Sequence, residues 1–181
     1  MQGIIYTLLS DMVIEQAGMA AWNDVLNQVQ PKSGGAYTAG QQYDDEELLS
    51  IVHFLSDKLS VPVADLIRQF GEYIFPALMA RNPCDLPDGI TAKEFLKQVD
   101  SVIHVGVKHI HPNAYLPTFR YEDPADNRLV MLYQSKRKMC TLAEGLIYGA
   151  GKHYDTHVDI KHTKCLHKDD DHCRLELAFG D

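Results

Sequence analysis

The sequence predicts an α+β fold, with helices through the first part of the chain and antiparallel strands after them. Three observations carry that expectation. Apolar residues recur at helical spacing from the N-terminus to about Ile110. After "HPNAYLP" the period falls to two, in segments bounded by turn residues such as "PADN" and "KDDDH". A single helical stretch, "TLAEGLIYGAGKHY", lies among the strands. Helices first and strands afterwards is the α+β order, and 181 residues suit one domain.

The first helix follows from a stripe through Ile4, Ile5, Leu8, Leu9, Met12 and Val13. A second covers Ala20 to Val29 and ends at the turn-rich "QPKSGGAYTAG". "YDDEELLSIVHFLSDKLS" gives a third, with Asp44 as N-cap, Glu47 three residues on, and a stripe through Leu48, Ile51, Val52 and Leu55. "VADLIRQFGEYIFPALMAR" reads as one or two helices broken near Gly71 and Pro76. "TAKEFLKQVDSVIHVGVKHI" opens on a capping box, Thr91 and Glu94, and stays helical to about Ile110. The strands are "TFRYED", "NRLVMLYQSKR", "HVDIKHTKC" and "HCRLELAF", with the inserted helix between the second and third.

Composition narrows the function. A 45% apolar and 23% charged chain is globular, and a net charge of −8 argues against nucleic acid and anionic membrane as partners. No apolar run reaches the roughly 20 residues of a membrane span. "MQGIIYTLLSDMVIE" has neither the basic start nor the cleavage site of a signal peptide. A cytoplasmic location is therefore expected, with the four cysteines as thiols or metal ligands. No Gly-rich phosphate loop, G-x-S-x-G or H-E-x-x-H occurs, so no enzyme is expected.

Two constellations carry chemistry. If the strand "RLVMLY" continues into "QSKR", Tyr133, Ser135 and Arg137 share one face. Such a face is either solvated or a grip for an anion, because a guanidinium fork flanked by hydroxyls matches phosphate and carboxylate, heme propionates included. Cys140, with His162, Cys165 and Cys173 of "HTKCLHKDDDHC", offers a Cys₃His set of the kind structural zinc prefers. His167 or His172 could replace His162, and the rival reading is scattered buried cysteines beside exposed histidines. Cys84 belongs to neither cluster. On the fifth helix, periodicity leaves His104 at the edge of the stripe and slightly prefers His109 as the core-facing histidine.

Tyr133, Ser135 and Arg137 in "YQSKRKM", with His104 on a helix 29 residues upstream of Tyr133, resemble the signature of the H-NOX family, the heme nitric oxide/oxygen-binding domains. "MQGII", Pro117 after "HPNAYL" and "EGLIYGAGKHY" fall in the expected order, so the resemblance covers the whole chain. It implies heme b with His104 as axial ligand and Tyr133, Ser135 and Arg137 on the propionates. It also implies a distal helical subdomain of about residues 1–65 and a proximal α+β subdomain of about 66–181 that enclose the heme.

Family members that hold oxygen have a tyrosine three residues past the M of the motif, where this chain has Leu142. Ile5, Leu9, Ile74, Leu78 and Leu146 match the rest of the distal wall and are apolar, leaving Tyr6, Tyr73 and Tyr148 as the remaining possible donors. The resemblance therefore implies NO and CO binding without stable O₂ binding. It further implies a signal sent, on release of His104, to a separate protein such as a histidine kinase or diguanylate cyclase. The rivals are a zinc-stabilised interaction module that reads a phosphate or carboxylate without heme, and a regulator that uses the same face for a nucleotide.

Overall fold

The computed structural model describes residues 1–180. Helix α1 (Gly3–Val29) joins the first two expected helices into one element kinked at Gly18, whose φ is 83°. In α2 (Asp45–Leu59) the Asp44 carboxylate accepts the Glu46 N–H at 3.1 Å, capping one of the free donors of the first turn. Glu47 does not complete the cap. It is buried and accepts from Ser33 N and Oγ and from the Tyr37 hydroxyl, which anchors the loop between α1 and α2.

Helix α3 (Val63–Met79) runs through Gly71 and Pro76 without the expected break. Gly71 serves contact rather than flexibility. A Cβ there would lie 2.6 Å from the carbonyl oxygen of Leu142 on α6 (Cys140–His153), and one at Gly145 would lie 2.0 Å from that of Arg68. The two helices therefore meet backbone to backbone, and side chains on either side would separate them.

Helix α4 (Ala92–Gln98) starts on the capping box, Glu94 N to Thr91 Oγ1 at 3.2 Å and Thr91 N to Glu94 Oε2 at 2.9 Å. A π-helical turn, Val99–Ile103, then precedes α5 (His104–Ile110). The strands β1 (Thr118–Ala125), β2 (Arg128–Gln134), β3 (His157–Lys164) and β4 (Cys173–Gly180) form one antiparallel sheet in the order β1-β2-β4-β3.

Two apolar clusters organise the molecule. One gathers α1, α2 and the Phe70–Ile74 part of α3. The other lies between the sheet face carrying Leu129, Met131, Leu175 and Leu177 and the residues Phe75, Phe95, Leu96 and Ile147 of the helices. Leu146 touches both. The opposite sheet face carries Val130 and Leu132 but is otherwise mostly polar, with Arg174 forked onto Glu122 through two 2.8 Å bonds. Among the described residues no helix is long and apolar enough to cross a membrane.

Candidate functional site

Strand β2 ends at Gln134, so Tyr133, Ser135 and Arg137 do not share a strand face. A turn closed by Lys138 N to Ser135 O at 3.2 Å, with Lys138 at φ 52°, gathers them instead. The buried Tyr133 hydroxyl accepts the Met139 N–H at 3.0 Å, and Ser135 Oγ accepts the Arg137 N–H at 3.2 Å. Both oxygens act as acceptors toward the backbone, which leaves each O–H to donate elsewhere. Burial pushes the Tyr133 phenol up to about 12, so it keeps its proton.

Arg137 donates from Nε to Asp45 and from Nη1 to the Tyr115 carbonyl, both at 2.5 Å, and lies 4.8 Å over the Tyr115 ring. Two of the guanidinium's five N–H groups are thereby used, and three remain for an anion. Asp45 and Tyr115 were not singled out in the sequence. Asp45 reads there only as one acid of a helix start, and Tyr115 only as part of a loop.

His104 heads α5, and the π turn sets its direction. Its own N–H reaches back to the Val99 carbonyl across one residue more than an α turn allows. Asp100 in that turn accepts the Phe119 N–H at 3.0 Å, and the Tyr121 hydroxyl accepts the Asp100 N–H at 3.4 Å, which docks the helix on β1. The His104 imidazole lies against Phe119, ring centres 5.9 Å apart. Its Nδ1 is buried without a hydrogen-bond partner, 3.7 Å from Asp100 Oδ1. Burial holds its pKa below the ordinary histidine value, so the ring is neutral and carries a lone pair. His109, favoured by periodicity, is exposed.

The six apolar residues expected on the distal side stay together. Leu9 and Ile74 are buried in the N-terminal cluster, with Ile5, Leu78, Leu142 and Leu146 packed against it. Met139, directly after the turn, joins them and was missed. Pro117 lies beside His104, where its carbonyl supports the charged form of the ring against burial. Tyr6 spends its hydroxyl on the Asp44 carbonyl at 2.5 Å and Tyr73 on Glu15 at 2.6 Å. Tyr148 lies at a surface pocket with Asp65 and Arg68.

The second constellation assembles from α6, β3, β4 and the turn between those strands. One ligand atom from each of Cys140, His162, Cys165 and Cys173 lies within 4.8 Å of all the others. Cys140 and Cys165 Sγ are 3.9 Å apart, close to the ~3.8 Å between tetrahedral corners set ~2.3 Å from a central zinc. His162 Nδ1 bonds Glu144 at 2.6 Å, leaving Nε2 buried and unpartnered. His167 bonds the Lys138 carbonyl through Nε2 at 2.6 Å and stands outside the set. The neighbouring Cys140 thiol and the Leu166 N–H, 3.3 Å away, hold the Cys173 thiol below its ordinary value despite its burial, while the Cys140 thiol is raised.

The Haem-NO-binding family profile matches residues 2–162, from the first helix past the Arg137 turn to His162. This chain belongs to the H-NOX family. Solved structures agree over its whole length. An H-NOX protein from Shewanella oneidensis in the Fe(II)NO ligation state has a TM-score of 0.92 at 32% identity, with 100% of both chains covered. The SO2144 H-NOX domain from the same organism in the Fe(II)CO ligation state has a TM-score of 0.89 at 31% identity, covering 100% of this chain and 99% of that one.

The soluble guanylate cyclase gcy-35 of Caenorhabditis elegans is 23% identical over 167 residues, which are 89% of this chain and 24% of the cyclase. The H-NOX chain thus spans about a quarter of the length of that relative. Members of the family are heme-based gas sensors, and the helices and antiparallel sheet described above are the H-NOX fold.

Proposed function

We propose that this H-NOX domain senses NO, and binds CO, at ferrous heme b held by His104, and that it does not hold O₂ stably. The observation that carries the reading is a neutral, half-buried imidazole whose Nδ1 is buried and unpartnered, in one chain with an apolar wall that offers no hydroxyl at Leu142. The residues fit the group. His104 would ligate the iron, and Tyr133, Ser135 and Arg137 would take the propionates with the donors left free by their backbone contacts. Heme, when bound, supplies an iron at which a diatomic gas coordinates. Everything else is the work of the chain.

Bound O₂ carries partial negative charge and benefits from a donor, whereas NO and CO bind without one; Tyr6 and Tyr73 have committed their hydroxyls elsewhere. Were His104 released, the contacts that hold its helix on the sheet would be the ones to yield: Phe119 N–H to Asp100 and Asp100 N–H to the Tyr121 hydroxyl. The same helix exposes Val105 and Ile110, which a signalling partner of the histidine kinase or diguanylate cyclase class could follow.

Cys140, His162, Cys165 and Cys173 would hold a structural zinc, since four protein ligands leave no open coordination position for catalysis. The deciding experiment is the visible absorption spectrum of the reduced protein under anaerobic conditions, then under NO, CO and air. A Soret band that moves with NO and CO, with no stable oxy form, is the expected result. No Soret band even with heme supplied would leave a zinc-stabilised anion-reading module as the better account.

A further inference from the structure

We infer that Glu144 is a positioning residue of the metal site, fixing the ring of His162 so that Nε2 faces the three thiols, and that Arg68 of α3 holds Glu144 in place. This rests on the metal reading above.

Glu144 sits in the first half of α6, on a buried face otherwise made of apolar and small residues, and is 5% exposed. A carboxylate buried that deeply persists only when its oxygens are satisfied. Here Oε1 meets His162 Nδ1 at 2.6 Å and Oε2 meets Arg68 Nε at 2.8 Å. Both oxygens are committed, so Glu144 is not itself a ligand.

A carboxylate is an acceptor to both neighbours, so the His162 proton must sit on Nδ1 and the lone pair on Nε2. That nitrogen is buried and has no protein partner. Arg68 is steadied in turn by Asp65 at 2.6 Å. The chain Asp65, Arg68, Glu144, His162 therefore runs from helix α3 through α6 to strand β3 and ends at the sulfur cluster. A plain ion pair between α3 and α6 would need Arg68 and Glu144 but would have no use for the histidine. A second-sphere carboxylate needs all three, and such partners raise ligand basicity and fix the tautomer.

The test uses the zinc-loaded protein. Zinc affinity is measured by competition with a chromophoric chelator in wild type and in Glu144→Gln, with urea denaturation of both metal-free forms alongside. We expect zinc binding 10- to 100-fold weaker in the variant. An unchanged zinc affinity with lowered metal-free stability would make Glu144 a structural ion-pair partner only and overturn the inference. Wild type that takes up no zinc at all would overturn the metal reading itself.

Should Glu144→Gln fail to fold, nitrogen NMR of histidine-labelled wild type decides the same point. His162 with a protonated Nδ1 and a metal-bound Nε2 supports the inference, and the reverse assignment overturns it.

Discussion

Asp45 ties three parts of the chain together. Its carboxylate pairs with the N-terminal amine at 2.6 Å and with Arg137 at 2.5 Å, while its backbone opens α2. Burial alone would raise its pKa, but the bonds from Arg137 and the amine outweigh it and hold the carboxyl below the usual range. With a folded pKa below the unfolded one, the unfolded chain binds more protons as acid is added. The pair's stabilisation is therefore full above about pH 4 and is lost as pH falls through the folded value. Asp45→Asn should cost about 1 kcal/mol or less at neutral pH, the modest size reflecting solvent screening of a partly exposed pair. The gap from wild type, read from urea midpoints, should close on acidification; a gap that stays constant to pH 3 would refute the argument. At Leu142 the question is a missing donor rather than a charge. Leu142→Tyr should convert a protein with no stable oxy form into one whose spectrum changes in air. No change would mean that pocket shape outweighs the hydroxyl.

Helices and strands were legible where one period governs a whole segment, as in the α2 stripe and the core face of β2. They were misread where a local event interrupts the period. One residue contributes about 100° of rotation on an α-helix, so the extra residue of the π turn shifts everything after it by roughly that angle. An unbroken period therefore favours His109, and the interrupted one turns the half-buried His104 against Phe119 and leaves His109 exposed. Nothing in "QVDSVIHV" announces the interruption. The end of β2 was equally hidden, because Lys138 takes the left-handed turn conformation with no glycine, asparagine or proline to mark it. In the sequence Gly71 reads as a breaker, because spacing along one helix says nothing of a second helix pressed against it. The close α3–α6 contact makes a plain prediction. Gly145→Ala should destabilise the fold by roughly 1–3 kcal/mol in urea denaturation, since the added methyl meets backbone that cannot rotate away. A neutral result would mean that the helices can separate freely.

Across the whole molecule, the family signature and the Cys₃His set were readable as residue lists, while the groups that orient them were not. Tyr115, Glu144 and Arg68 lie far in sequence from the side chains they support, and Asp100, though four residues from His104, meets Phe119 and Tyr121 only through the fold. If His104 carries the signal, His104→Gly supplied with imidazole should bind heme and gas yet leave a partner's activity indifferent to NO. Partner control surviving unchanged would show that the signal leaves by another element. The register of the central strands adds a final consequence. Tyr133 stands directly opposite Cys173 across β2 and β4, and Met139, whose N–H the Tyr133 hydroxyl accepts, immediately precedes Cys140. If the proposed heme and zinc both bind, their two stations share this one stretch of chain. A nascent domain short of zinc would present an unfinished cradle to porphyrin, so cells starved of that metal should yield apoprotein with low heme occupancy, a defect of maturation rather than of gas chemistry.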